Sequence, residues 1–193
     1  LCGLRFRISA KSFYQVNPSQ AAKLYTIAMR MARFSGNETV IDAYCGTGTI
    51  GLVAASWGAG HVTGIELNPD AVEDAKANAV LNDLTNADFI CGDASVVMKQ
   101  MAKEGRSADV VFMDPPRSGS DERFLASVIK LSPKTVVYIS CNPETLARDL
   151  RYITSMGPYR MVGAQPVDMF PQTEHIETVV LLCKKFEEPK TYC

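Results

Sequence analysis

Residues 138–150 read YISCNPETLARDL. A run of strand formers ends in Ser140 and Cys141, and Asn142-Pro143 opens a helix. Asn is a good helix cap and Pro a good first helical residue. The thiol therefore sits at a helix start, where a thiolate is stabilised and its pKa is expected to fall. Most cysteines in soluble proteins are inert core residues, and Cys45, Cys91 and Cys183 read that way. Cys141 differs by position and reads as a nucleophile. A nucleophile needs a base near it. The downstream stretch DMFPQTEHIETVV, residues 168–180, offers Glu174, His175 and Glu177. Histidine has the better intrinsic pKa, while Glu177 stands at the mouth of the last strand. Spacing leaves the three open.

A second set of residues points to a cofactor. The stretch from Asp42 to Gly51, DAYCGTGTIG, satisfies G-x-G-x-x-G between a strand and a helix. Glycines at Gly46 and Gly48 permit a tight turn and close backbone approach to a ligand. Glu66 lies 20 residues beyond Gly46 at the end of the next strand, placed to accept from ribose hydroxyls. A dinucleotide would need the helix N-terminus for its pyrophosphate. Asp42, a carboxylate just ahead of the loop, repels a phosphate and suits the cationic methionine part of S-adenosylmethionine. Asp93, ending a third strand in CGDAS, is expected to face the adenine. Asp114-Pro115-Pro116-Arg117 makes a rigid, non-helical platform at a fourth strand end. The set resembles the class I methyltransferases.

The elements that must position these groups follow from the pattern. Two short strands are expected at 4–8 and 12–16, then a helix led by Pro18. From Thr39 five strand-helix units succeed one another: strands TVIDAY, HVTGIEL, ADFICGD, ADVVFMD and TVVYIS alternate with helices IGLVAASW, PDAVEDAKANAVL, SVVMKQMAK, ERFLASVIKL and PETLARDLRYIT. Two last strands, MVGAQPVDMF and IETVVLLCKK, close the chain. Continuous apolar strands separated by helices imply a parallel sheet covered on both faces. The expected fold is α/β, Rossmann-like, with a mostly parallel seven-stranded sheet, an antiparallel edge and helices on both faces. Ligands in such folds bind at the carboxyl ends of the strands.

The chain has 193 residues, 47% of them hydrophobic and 21% charged, with a formal net charge of −1. That is one domain of ordinary globular composition, with no electrostatic mark of a free-standing RNA-binding module. We read residues 1–35 as N-terminal strands and helix leading into the domain, 36–185 as the core and 186–193 as a tail. No apolar run reaches the ~20 residues of a membrane span, and nothing at the start has the form of a secretory signal. The six cysteines form no C-x-x-C pair and only two histidines occur. No metal site is expected, and the thiols read as reduced, in a cytoplasmic protein.

A nucleophilic cysteine beside a methyl donor suggests one chemistry. Thiolate addition at carbon 6 of uracil makes carbon 5 nucleophilic enough to take the methyl group, and a base then removes the carbon-5 proton. FYQVNPSQ, DAYCGTGTIGL, IELNPDAVEDAKANA, MDPPRSG, YISCNPETLARDL and DMFPQTEHIETVVLL together resemble the catalytic domain of the RNA (uracil-5-)-methyltransferases, and are more similar to the 23S ribosomal RNA branch than to the transfer RNA branch. The resemblance spans nearly all of 4–185. It implies Cys141 as nucleophile and Glu177 as base, with Gln15, Tyr44, Thr49, Glu66, Asp93 and Asp114 lining the S-adenosylmethionine and the reaction centre. It implies RNA as partner, upstream RNA-binding domains outside this chain, weak RNA binding by the chain alone, and a monomer. The competing expectations are a nitrogen-directed methyltransferase, for which Cys141 is dispensable, and a non-catalytic cofactor-dependent RNA-binding module.

Overall fold

The computed structural model describes residues 1–8, 17–173 and 175–185. Gln15, Glu174, the expected strand at 12–16 and the tail lie outside them. The elements run α1 (Pro18–Ala32), β1 (Thr39–Ala43), α2 (Thr49–Ser56), β2 (His61–Glu66), α3 (Pro69–Leu81), β3 (Ala87–Cys91), α4 (Ala94–Lys103), β4 (Val110–Met113), α5 (Glu122–Leu131), β5 (Thr135–Ser140), α6 (Pro143–Met156), β6 (Tyr159–Val167) and β7 (Glu177–Lys184).

Three helices start the same way. Asn17-Pro18, Asn68-Pro69 and Asn142-Pro143 each supply an Asn side chain that accepts from a first-turn N–H, followed by a proline whose missing N–H is not needed there. Asp93 and Asp121 cap α4 and α5 in the same manner. The caps fix where each helix leaves its strand, and so where the preceding loop must lie.

The seven strands are ordered β3-β2-β1-β4-β5-β7-β6. The first five are parallel, β7 runs antiparallel to β5, and β6 antiparallel to β7. The expected fold class holds. Inner strands are buried on both faces with a period of two. Val110, Phe112, Val137, Ile139, Val179 and Leu181 pack with α1 and α2. Val111, Met113, Val136, Tyr138, Val180 and Leu182 pack with α4, α5 and α6. Each such fully buried side chain contributes roughly 1.5–3 kcal/mol, and this two-sided burial explains why the strands read as unbroken apolar runs.

The expected strand at 4–8 is not one among the described residues. Arg5 and Arg7 are instead held by side chains of α3. Their N–H groups donate to Asn82 Oδ1 (2.8 Å) and Asn78 Oδ1 (2.7 Å), and their carbonyls accept from the same two amides. Asn78 and Asn82 are one helical turn apart, so they meet backbone groups two residues apart. A strand-like periodicity here reflects two asparagines imitating a neighbouring strand.

Candidate active site

The strand order reverses between β1 and β4, and the site gathers at their carboxyl ends. Ala43 pairs with Met113, which sets Tyr44 and Asp114 side by side. Two contiguous cavities open there, of about 410 and 400 Å³. Both are lined by Tyr44, Glu66 and Pro116. The first adds Gly46, Thr49, Asp114, Arg117 and Glu177. The second adds Ile65, Leu67, Asp93, Ala94 and Phe124.

The glycine loop is built for close approach. Gly46 and Gly48 have φ of +53° and +82°, values that exclude most side chains. A Cβ on Gly46 meets nothing within 4 Å, so this backbone faces open space, whereas one on Gly48 lies 3.0 Å from Ala75 and from the Phe89 ring. Glu66 braces the loop: Oε2 accepts from Gly46 N (3.0 Å) and Oε1 from Asn68 N (2.8 Å). Tyr44, itself at φ +64°, stacks obliquely on Phe124 with ring centroids 4.8 Å apart. Burial pushes its hydroxyl pKa up to about 12. Thr49 begins α2, its hydroxyl 3.3 Å from that of Thr47. Asp93 is exposed at the second cavity. Its Oδ1 accepts from the Ser95 hydroxyl and from the N–H groups of Ser95 and Val96, and these bonds hold it below its ordinary pKa, the Ser95 hydroxyl foremost.

Asp42 stands elsewhere than expected. It is wholly buried beneath the loop, with Oδ2 accepting from Gly51 N at 2.7 Å and Oδ1 without a hydrogen-bond partner. Burial, opposed by the Gly51 bond and helped by the Glu66 charge, raises its pKa to about 7. Asp42 thus fills the anion seat at the start of α2 from below. That arrangement disfavours a pyrophosphate, for a more direct reason than repulsion at the mouth. The remaining cradle fits S-adenosylmethionine: a backbone floor with no side chain at Gly46, a carboxylate at the junction of the two cavities for ribose hydroxyls, an apolar slot ending at Asp93, and Asp114 beside the loop.

Cys141 and Glu177 come together through strand register. Ser140–Thr178 is the last pair of the antiparallel β5–β7 ladder; Cys141 follows Ser140 and Glu177 precedes Thr178, so both stand at the same end of the sheet, close enough for the Glu177 charge to act on the thiol. Glu177 is 7% exposed. Burial raises its pKa, and the Arg117 guanidinium opposes the rise. Asp114 is raised well above the usual range by burial and then by Glu177.

The expected lowering of the Cys141 pKa is not what the structure gives. Burial raises it first, the charges of Glu177 and Asp114 raise it further, and Arg117 works the other way. Burial is the main reason, and the helix end does not offset it. Cys141 precedes the N-cap, and Asn142 Oδ1 already takes the N–H groups of Glu144 and Thr145. The helix end is satisfied from within, and two carboxylates face the sulfur.

Of the other two candidate bases, Glu174 lies outside the described residues. His175 is exposed, edge-on to Phe170, with Nδ1 3.3 Å from Arg117 Nη2. Arginine only donates, so Nδ1 accepts and the ring proton sits on Nε2. His175 is thereby engaged at the rim.

Sequence reasoning missed three supports. Arg117, the last letter of D-P-P-R, is the cation beside both Cys141 and Glu177. Asn78 is fully buried and donates to Thr47 O in the glycine loop at 3.1 Å; its signal was an amide inside a helix, a poor helix former. Asp149, also fully buried, accepts from Tyr138 Oη (2.7 Å) and Ser120 N (2.8 Å). Arg148 beside it donates to the carbonyls of Ser118 and Ser120. Helix α6 thus fastens the D-P-P-R loop to the strand that carries Cys141. Among the described residues, no cluster of His, Cys, Asp and Glu could hold a metal, five cysteines are free thiols, and no helix is long and apolar enough to cross a membrane.

A family model described as tRNA (uracil-5-)-methyltransferase matches residues 3–185. An uncharacterized RNA methyltransferase of Bacillus cereus is 53% identical over 181 residues, which are 94% of this chain and 39% of that protein. Another, from Listeria innocua, is 53% identical over 183 residues, 95% of this chain and 40% of that protein. The chain thus spans about two-fifths of the length of these relatives. The Pyrococcus abyssi tRNA (uracil-54, C5)-methyltransferase, solved in complex with S-adenosyl-L-homocysteine, superposes with a TM-score of 0.76 at 33% identity, covering 92% of this chain and 41% of that one. A putative RNA methyltransferase of Pyrococcus horikoshii, 20% identical over 94% of this chain and 93% of its own, has a TM-score of 0.69 and shares the fold.

Proposed function

Since the chain belongs to the tRNA (uracil-5-)-methyltransferase family, we propose that it carries the catalytic machinery for S-adenosyl-L-methionine-dependent methylation of carbon 5 of a uridine in RNA, and that the RNA is 23S ribosomal RNA. The observation that carries the chemistry is that the β5–β7 register brings Cys141 and Glu177 to the same end of the sheet, within electrostatic reach of each other. The ribosomal choice rests on the sequence resemblance.

When bound, S-adenosylmethionine supplies an electrophilic methyl group. Gly46, Gly48, Tyr44, Thr49, Glu66, Asp93 and Asp114 are the described residues that would hold it, with Asp42 supporting the loop from beneath. The target base leaves its stack to enter the cavity. Cys141 reacts as the thiolate and forms a bond to carbon 6 of the uracil, which moves the electron pair of the 5,6 double bond onto carbon 5. Carbon 5 would take the methyl group with its electron pair, and the methyl's bond to the sulfonium sulfur would break to leave neutral S-adenosyl-L-homocysteine. Glu177 accepts the carbon-5 proton, the double bond reforms, and the carbon–sulfur bond breaks to return the thiolate. Each turnover begins and ends with the thiolate, so the only net proton released is the one that Glu177 takes. Burial suits Glu177 to this work by making its carboxylate more basic than usual, while Arg117 limits that rise.

Two variants of the full natural-length protein test this. Cys141→Ala is expected to abolish methyl transfer and leave S-adenosylmethionine affinity, measured by calorimetry, within twofold. Glu177→Gln is expected to form the covalent RNA adduct and release it slowly. Turnover retained in Cys141→Ala refutes the mechanism and points to nitrogen methylation. Normal release by Glu177→Gln returns the proton-accepting role to His175 or Glu174.

A further inference from the structure

Helices α4 and α5 pack side by side on the face of the sheet opposite α3, and a groove of about 430 Å³ runs between them. Its lining includes Lys99 and Lys103 from α4 and Arg123 and Lys130 from α5, and it includes no carboxylate. The chain as a whole has 20 basic and 21 acidic residues, so four cations in one groove are a local excess that the net charge conceals. Lys99 and Lys103 are one turn apart, ~6 Å, and Arg123 and Lys130 two turns apart, ~10 Å. The two rows face each other across helices whose axes lie ~8–10 Å apart. Among the described residues none of the four makes a salt bridge. Like charges one turn apart disfavour a helix, so the arrangement is one that folding alone does not favour. Arg123 also acts electrostatically, as a minor cause, on Asp93, which lines the cofactor cavity. Ser95 lines both hollows, so the first turn of α4 borders both the groove and the cofactor cavity.

We propose that the α4–α5 groove is a phosphate-backbone docking track for the RNA substrate, holding the strand on Lys99, Lys103, Arg123 and Lys130 while the target base occupies the cavity. This rests on the reading of the protein as an RNA methyltransferase. A concave, unneutralised double row of cations matches a polyanionic strand in both shape and charge.

The test is fluorescence titration of the full natural-length protein with a labelled ribosomal RNA hairpin across ~50–200 mM salt. Each cation on a single-stranded phosphate contributes ~0.7 to the salt slope, so Lys99→Gln/Lys130→Gln is expected to lower the slope by about 1.4 and the affinity at ~0.1 M salt by about 25-fold. S-adenosylmethionine affinity and the melting temperature are expected to hold. Lys23→Gln/Lys76→Gln, an equal charge change on α1 and α3, is expected to leave both slope and affinity near wild type. An unchanged slope in the groove variant overturns the proposal, as does an equal loss in the α1–α3 control. Loss of binding to phosphatidylserine vesicles or to polyglutamate, with RNA binding intact, also overturns it. A wild type that binds RNA through these lysines but methylates no carbon 5 overturns the proposed function and leaves the groove assignment standing.

Discussion

Asp42 offers a quantitative test of the buried geometry beneath the glycine loop. Its carboxyl is wholly buried, has one hydrogen bond, and has an oxygen without a partner. Its pKa is raised from 3.8 to about 7. Between those values the folded state holds a proton that the unfolded chain has lost. Stability therefore falls as pH rises through that window and levels off above about pH 7. Three units at ~1.36 kcal/mol each give a loss of about 4 kcal/mol. Asp42→Asn removes the titration and keeps an oxygen for Gly51 N. Its amide N–H₂ lacks a partner, a cost of ~1–3 kcal/mol that does not change with pH. Urea unfolding of both proteins from pH 4 to pH 8.5 separates the two effects. The difference in unfolding free energy, variant minus wild type, is expected to climb by about 4 kcal/mol across the range and to end in favour of the variant. A difference that stays flat with pH refutes the burial argument.

Other predictions follow from neighbouring groups. Gly48→Ala places a side chain at φ +82° and 3.0 Å from Ala75 and Phe89; a cost of at least ~1–2 kcal/mol is expected in thermal unfolding, with S-adenosylmethionine affinity lost as the loop shifts. Asp149→Ala leaves the Tyr138 hydroxyl and Ser120 N–H buried and unpaired, so chemical denaturation is expected to show a loss of about 2–6 kcal/mol at ~1–3 per group. Turnover requires ionised Cys141 for attack and ionised Glu177 for release, and both pKa values are raised, burial being the largest cause. Activity is therefore expected to fall with acid through a limb above the ordinary carboxylate range and to keep rising on the alkaline side. Arg117→Ala removes the charge that opposes both rises, so both limbs should move to higher pH in a kcat/KM profile. A profile flat through neutral pH and unmoved by that substitution contradicts the assignment.

The fold was legible because its signals are local and repeated: apolar strands buried on both faces, Asn-Pro helix starts, and turn residues after each strand. Glu66, Asp93 and Asp114 were legible because each stands at or just beyond a strand end and the topology brings strand ends together, whereas Tyr44 and Thr49 were implied only by the family resemblance. What the sequence hid depends on contacts distant along the chain. The strand-like alternation of residues 4–8 is met by Asn78 and Asn82, over 70 residues away. Asp42 precedes a glycine loop, but only the packing of α2 decides that it lies under the loop. The Cys141 pKa was misjudged because helix position was visible in sequence, whereas the nearby Glu177 and Asp114 carboxylates were not. The cations of α4 and α5 lie far enough apart in the chain that only helix packing makes them a groove.

The central claim is that Cys141 attacks carbon 6 of a uracil and that the carbon-5 substituent must leave for the enzyme to be released. The full natural-length protein, mixed with S-adenosylmethionine and a 23S ribosomal RNA fragment carrying 5-fluorouridine, tests it by intact mass, with Cys141→Ala alongside. Fluorine cannot be removed as a proton is, so a stable protein–RNA adduct bearing one added methyl group is predicted, absent from the variant. A wild type that stays free of adduct while binding both S-adenosylmethionine and the RNA would contradict the account.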